Sequence, residues 1–435
     1  VNGILLIFYH PPYPFAPTVL EHIRAFERYS RFKVWKLNTA SGFPEGLSRM
    51  RFDAVVLHYS TFFNGMNIGR FSDYIKQCQS SYKVAFFQDE HWLCQQRFDF
   101  LNQHKIDCLY TLVEPRYFAD VYGKYTSVPR IIYNLPGYVS DDLIREAQKM
   151  ARPDENRSID IGYRGRKLPF YMGKGGQEKS EIGIRFKEAA SKSELKLDIE
   201  VDEDRRIYGQ SWSEFVSDCR AMLGVEAGVS IFDIEGVVRS EYEHLIESNL
   251  AMSFEEASER LLSKWEDNIQ YRTISPRHFE AAAFRVCQIL FEGNYSAVLQ
   301  PMKHYIPLKK DFSNFDDVIR MFRDETRRRE LTENAYTDLI ASGKYTYKSF
   351  INSFDDELIS AGLQPDISDY ERAKVSWILA RSRASHKARA IRDRYSSLTK
   401  NKILWLARRI LGAERTKQSL KVYRKLKGNI FKGLY

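Results

Sequence analysis

The sequence predicts an α/β protein of two doubly wound, Rossmann-like domains facing across a cleft, followed by a basic helical tail. Three observations predict it. At 435 residues the chain exceeds what one ordinary core supports. Over residues 1–135, short continuous apolar runs alternate with helix-period segments, the pattern of a parallel sheet covered on both faces. After a polar linker the alternation begins again at Ile159.

In the first domain (1–135) strands are expected at 4–9, 32–37, 53–58, 83–88, 107–112 and 130–133. Helices are expected at 19–29 and 71–80. Ligands of such sheets bind at the carboxyl ends of the strands, which brings His10, His58 and the run Asp89, Glu90, His91, Trp92 to one edge. Residues 136–158 read as the linker.

In the second domain (159–345), a strand at 159–162 leads to a helix at 178–191. Strands at 197–201 and 221–225 flank a helix at 212–218. A charged helical insertion is expected at 240–270. Glu280 is expected to start a short helix of small residues, followed by strands at 286–291 and 304–307. Amphipathic helices are expected at 315–341 and 347–361. Residues 346–370 serve as a return helix, and 371–435 as the tail.

Composition narrows the function classes. A hydrophobic share of 43% and an aromatic share of 14% fit a globular chain and not a disordered one. The five cysteines are scattered without a CxxC, which argues against zinc and a disulfide framework and for a reducing compartment. No run approaches the roughly 18 apolar residues of a membrane span, and Gly3 enters a strand-like run without a basic leader. A cytoplasmic setting is expected.

The net charge of +9 is unevenly spread. Residues 371–435 hold 19 Lys/Arg against 3 Asp/Glu, a net of +16, which leaves −7 over the first 370. Such an asymmetry points to an anionic surface. In 400–411, Ile403, Leu404, Ala407, Ile410 and Leu411 share one helical face, Lys402, Arg408 and Arg409 flank the other, and Trp405 sits at the boundary. That is the pattern of a helix lying on anionic lipid. Docking on the body or a partner is the alternative. Sparse aromatics and the lack of an RNA-binding motif argue against nucleic acid.

The chemistry-bearing stretch is 162–179, GYRGRKLPFYMGKGGQEK. It sets Arg164, Arg166, Lys167, Lys174 and Lys179 among five glycines at a strand-to-helix turn. Fixed cations on a flexible backbone suit a diphosphate. It is not a P-loop, since Leu168 and Gly175 stand where Gly and Ser/Thr are required. A GxGxxG fingerprint fails at Glu178.

Glu226 either faces the cleft or caps a following helix. Glu280, with Arg277 and His278 before it, either contacts a sugar nucleotide or favours its own helix dipole. The Asp202-Glu203-Asp204 run matches a DxD metal motif but reads as a solvated turn. The nine histidines never fall at ligand spacing, so no metal site is expected.

The runs GYRGR…GKGGQEK and SPRHFEAAAFRVCQILFEGNYSAVLQP together resemble the carboxyl-terminal half of bacterial GT-B-fold glycosyltransferases, in particular the retaining, family 4-like group of surface polysaccharide synthesis (lipopolysaccharide O-antigen or capsule). The resemblance implies an amino-terminal acceptor domain and a carboxyl-terminal nucleotide-sugar donor domain. It implies Glu280 on the nucleotide ribose, Arg164 or Arg166 with Lys174 or Lys179 on the diphosphate, and His91 near the reacting sugar. The pattern's second Glu falls at Arg272, which leaves Glu226 as a candidate for that role.

The implied activity is a metal-independent hexosyltransferase without a cofactor, its nucleotide sugar being a substrate. A glycan acceptor, lipid-linked, would be met at the inner face of the cytoplasmic membrane through 371–435. An inverting reaction would draw its base from His91, Asp89 or Glu90. The residues leave retention and inversion open, and the resemblance favours retention. A non-catalytic scaffold of the same build and a sugar-nucleotide epimerase are the alternatives.

Overall fold

A computed structural model describes residues 3–11, 17–249, 251–365 and 375–380. The first domain is a six-stranded, wholly parallel sheet. Its strands are β1 (Ile4–Phe8), β2 (Val34–Asn38), β3 (Ala54–Leu57), β4 (Tyr82–Phe86), β5 (Cys108–Thr111) and β6 (Arg130–Tyr133), in the order β2-β1-β3-β4-β5-β6. Helices α1 (Pro17–Tyr29), α2 (Arg70–Gln77) and α3 (Cys94–His104) cover it.

Both faces are buried, which is why the strands read as continuous apolar runs. Leu5, Ile7 and Leu57 pack with Tyr74, Ile75 and Leu101 of α2 and α3. Ile4, Leu6 and Val56 pack with Ile23 and Phe26 of α1 on the other side.

Helix α4 (Asp141–Met150), capped by the Ser140 hydroxyl, leads into the second domain. There β7 (Ile159–Arg164), α5 (Gly173–Ala189), β8 (Leu197–Glu200), α6 (Gln210–Asp218) and β9 (Cys219–Gly224) follow in turn. An insertion carries β10 (Ala227–Val229), α7 (Val237–Ser248), α8 (Phe254–Ala257) and β11 (Tyr271–Thr273). The chain returns through α9 (Pro276–Ala283), β12 (Cys287–Phe291) and β13 (Ile306–Leu308). The parallel sheet order is β13-β12-β9-β7-β8, and β10 pairs antiparallel with β11. The chain is therefore the expected pair of doubly wound α/β domains.

Two local expectations are corrected. Helix α9 begins at Pro276 and not at Glu280, because Ser275 caps it, its hydroxyl accepting the Arg277 N–H at 3.4 Å. Serine followed by proline is a helix-start signal. The stretch 315–341 is not one helix. Asp324 ends α10 (Phe315–Arg323) and caps α11 (Glu325–Ala335) by accepting the Arg327 N–H. The segment between β9 and α9 also reaches the first domain, where Val229, Phe232, Ile269 and Tyr271 join the apolar core.

The last long helix, α12 (Tyr347–Ser360), crosses back to the first domain. Phe350 and Phe354 pack against Phe26 and Phe86 there, and Asp355 accepts from the Ser30 hydroxyl and the Arg31 N–H. Residues 375–380 are helical and bury Val375, Ile378 and Leu379 in the first domain's core. The expected lipid-facing helix at 400–411 lies outside the described residues.

Candidate functional site

The carboxyl ends of β7 and β9 and the first turn of α9 enclose a cavity of about 290 Å³. Tyr163, Arg164, Arg166 and Lys179 form one wall and Gly224 to Ala227 the floor. Ser275, Arg277, His278 and Gln288 close the far side. The approach of α5 to β7 depends on Gly165: a Cβ there would lie 2.4 Å from the Lys179 carbonyl oxygen. Four of the five predicted donor-binding cations, Arg164, Arg166, Lys179 and Arg277, thus meet Glu226 and His278 at one cavity, but they are not equivalent.

Arg164 is committed elsewhere. Its guanidinium donates to the Tyr163 and Asp198 carbonyls, pairs with the Asp198 carboxylate at 2.9 Å, and lies 4.2 Å over the Phe215 ring. Arg277 donates to the Arg164 carbonyl and stacks on Trp212 at 4.8 Å. Arg166 is exposed on the cavity rim, with neither a hydrogen bond nor an ion pair among the described residues. Lys179 is the half-buried cation of the pair. Its ammonium donates to the Gly228 carbonyl at 2.6 Å, and burial, with the nearby Arg166 charge, lowers its pKa to about 8. Two adjacent cations without carboxylate partners form a site that an anion would stabilise.

Lys174 does not join them. It is exposed and outside the cavity wall, and its N–H is taken by the Glu266 carboxylate at 2.7 Å. The Gly175 N–H is taken by the Ser230 hydroxyl at 2.8 Å. The start of α5 is therefore closed by protein groups, which corrects the expectation of a phosphate there. Gly173, at φ +71°, is required at this closure: a Cβ would lie 2.2 Å from the Glu266 carboxylate. The helix start that borders the cavity is that of α9, capped by Ser275, with Ser275 and Arg277 in the lining.

Glu280 is outside the cavity wall. Burial raises its pKa, and its carboxylate accepts from the Trp212 indole at 2.7 Å. Glu226 does line the cavity but caps no following helix. It is buried and accepts the N–H groups of Asn294 at 3.1 Å and Tyr295 at 2.7 Å, bracing the turn after β12. His278 is buried and neutral, its pKa lowered to about 4 by burial. Its Nδ1 lies 2.8 Å from the Gln288 side-chain oxygen and its Nε2 3.3 Å from the Val225 carbonyl. The neutral ring carries one N–H, so it donates to one of these two oxygens at a time.

Across the cleft, the end of β4 presents Asp89, Glu90 and His91 in three different ways. Asp89 is exposed and held at φ +52°, a left-handed conformation that Asp tolerates better than most residues. Glu90 turns into the first domain and is no cleft base. Its carboxylate accepts from the Leu112 N–H at 2.8 Å and from the Thr111 and Tyr122 hydroxyls, and burial raises its pKa.

His91 is buried, and its Nδ1 has no hydrogen-bond partner among the described residues. Burial lowers its pKa to about 4, against the pull of Asp89, with Lys179 adding to the lowering. Asp89 in turn raises the Lys179 pKa. The fold thus brings the end of β4 and the middle of α5 within electrostatic reach. The Asp233 N–H donates to the His91 carbonyl at 3.1 Å and ties the end of β4 to the segment after β10.

His58, expected at this edge, is instead fully buried, its Nε2 lying 2.8 Å from His22 Nδ1. Sequence reading missed Glu178, whose two carboxylate oxygens share the Arg272 Nη1 at 2.9 and 3.0 Å and which accepts a further bond from Lys310 at 2.7 Å. A single carboxylate amid a cationic loop was its available signal.

No family model and no curated protein matches the chain. Among solved structures it is similar to HepE of Anabaena in complex with UDP and glucose, at 8% identity, TM-score 0.48, and coverage of 83% of this chain and 100% of that one. It is also similar to an alpha-glucosyltransferase in complex with UDP-glucose and DNA containing an abasic site, at 11% identity, TM-score 0.46, and the same coverages. A sucrose-phosphate synthase of Thermosynechococcus elongatus matches at 10% identity and TM-score 0.45, over 83% of this chain and 100% of that one.

Proposed function

We propose that this protein is a glycosyltransferase that moves a hexosyl group from a nucleotide diphosphate sugar to a glycan acceptor. The observation that carries this reading is the pair Arg166 and Lys179, cations without a carboxylate partner at a strand-end cavity, facing Asp89 and His91 across the cleft.

In the reaction, the bond between the anomeric carbon and the diphosphate oxygen breaks, and the nucleotide diphosphate leaves with the electron pair. An acceptor hydroxyl oxygen forms the new bond to that carbon. Arg166 and Lys179 offset the charge that develops on the leaving group, the task a metal ion performs elsewhere. The α9 start adds its dipole. In a retaining course the acceptor proton passes to a departing phosphate oxygen, and His91 serves as a neutral hydrogen-bonding group beside the sugar. In an inverting course Asp89 is the exposed carboxylate able to take that proton. The insertion's apolar seal against the first domain limits water entry, which would otherwise hydrolyse the donor.

The reading extends to a retaining, metal-independent enzyme of bacterial surface polysaccharide synthesis, O-antigen or capsule. Its acceptor would be lipid-linked and met at the inner face of the cytoplasmic membrane, where the +16 charge of 371–435 would seat it. The test is binding and turnover of nucleotide sugars by wild type and by Arg166→Ala and Lys179→Ala. Loss of one charge-assisted contact costs roughly 1.5–3 kcal/mol, so donor affinity should fall about tenfold to a hundredfold.

A second reading is a non-catalytic scaffold, favoured by the closure of the α5 start by Glu266 and Ser230. Failure of intact protein to bind any common nucleoside diphosphate would select it.

A further inference from the structure

The first domain has a second cavity at the opposite edge of its sheet, where the amino ends of β3, β4 and β5 meet the tails of α2, α3 and α12. We propose that this cavity, of about 950 Å³ and lined by Lys76, Lys83 and Lys105, binds a compact oxyanion carried on a small sugar, a phosphate or a carboxylate.

Lys83 carries the inference. It is the second residue of β4 and only 5% exposed, yet its ammonium has no hydrogen bond and no ion pair among the described residues. Its side chain leaves the sheet on the face of Ala85 and Phe87, beneath Cys78, and ends at the cavity. With its stem buried and its ammonium unpaired at the cavity, Lys83 presents a partly desolvated charge that an anion would stabilise. Burial lowers its pKa, only partly offset by Asp107.

The two carboxylates at the cavity do not complete it. Asp107 accepts the backbone N–H of Lys83 at 2.7 Å, and Asp53 accepts that of Gly3 at 2.8 Å. Three lysines against two committed carboxylates leave a net positive site. Elsewhere in the lining, Gln79, Gln103 and Gln364 offer neutral donors and acceptors of the kind that hold sugar hydroxyls. His104 contributes no charge, since burial lowers its pKa and its ring bonds to Phe100 and Ser72.

The site lies apart from the donor cavity, so its test stands independently of the glycosyltransferase reading. Melting temperature is measured with inorganic phosphate, glucose 1-phosphate or glucuronate, against glucose and sodium chloride at equal ionic strength. Full-length protein carrying Arg166→Ala and Lys179→Ala serves as the background, which removes binding at the donor cavity.

The expected result is a rise of a few degrees with the anions at concentrations well above Kd, lost in Lys83→Met. The relative responses to phosphate and carboxylate identify the preferred group. No anion-specific rise, or an undiminished one in Lys83→Met, overturns the proposal. Should Lys83→Met fail to fold, Lys76→Gln with Lys105→Gln is expected to weaken the response at least tenfold in midpoint concentration. Protection of Lys83 from acetic anhydride by phosphate, read by peptide mass in the otherwise unaltered protein, is expected as well. Equal labelling with and without phosphate contradicts the site.

Discussion

The Glu280 carboxylate accepts a hydrogen bond from the Trp212 indole at 2.7 Å, and the face of that indole carries the Arg277 guanidinium at 4.8 Å. The residue that the sequence marks most strongly thus acts on the cavity through two intermediaries. Glu280 holds Trp212, Trp212 supports Arg277, and Arg277 forms part of the wall.

Glu280→Ala should therefore behave chiefly as a stability variant. Loss of a charged hydrogen bond at a buried site is expected to cost about 1–3 kcal/mol, read as a lowered urea midpoint. Nucleotide affinity should fall no more than about tenfold, and Glu280→Gln, which still accepts from Trp212, should restore most of both. A hundredfold loss of affinity in Glu280→Gln at unchanged stability would instead mean direct contact with the nucleotide.

Lys179 sets a pH dependence for donor binding. Its pKa is lowered to about 8, so the free protein loses this cation as pH rises through that value. Affinity for a nucleoside diphosphate should fall between pH 7.5 and 9.5 by up to about tenfold per unit, and Lys179→Met should bind weakly without that step. Titration calorimetry at several pH values checks this. The same group makes stability rise with pH above 8, since the unfolded lysine keeps its proton up to its ordinary range.

Arg272 and Glu178 form a buried pair, with side-chain exposures of 14% and 8%. Removing one partner of such a pair typically costs about 3–5 kcal/mol. Arg272→Ala leaves Lys310 on Glu178, so the cost should fall at the lower end, about 3 kcal/mol. Glu178→Ala removes the partner of Lys310 and leaves Arg272 only its 3.7 Å contact with Asp267, and should cost more. Chemical denaturation of the two variants gives the order, and the reverse order would contradict it.

His22 and His58 predict acid sensitivity. Burial lowers both, His22 to about 3, while an unfolded imidazole titrates at its ordinary value. Between those values the unfolded chain binds more protons, so stability falls as pH drops from 6.5, by at most about 1.4 kcal/mol per unit per residue. Glu21, raised to about 7 by burial, works with the opposite sign over its own range. Comparing wild type with His22→Phe cancels that contribution, and the variant should show the shallower acid slope.

What could be read in advance follows the physics of each element. Strands such as Ile4–Phe8 announce themselves because burial on both faces demands an unbroken apolar run. The cation-rich turn after β7 was legible for the same reason: strand end, glycines and charge are all local. Ionic pairing was not legible. Asp198 commits Arg164, and Glu266 closes the start of α5 from 92 residues away, contacts that depend on how distant segments come together. Glu90 and His58 look like site residues by position, yet their side chains turn into the core because Thr111, Tyr122 and His22 satisfy them there.

The central claim is that Arg166 and Lys179 together hold a nucleotide's diphosphate. Calorimetric titration of UDP, and of the other common nucleoside diphosphates, into wild type and into the Arg166→Ala/Lys179→Ala protein tests it most directly. The account predicts saturable binding in wild type and a loss of affinity of at least about a hundredfold in the double variant, with unfolding midpoints little changed. Equal affinity in both proteins would contradict it.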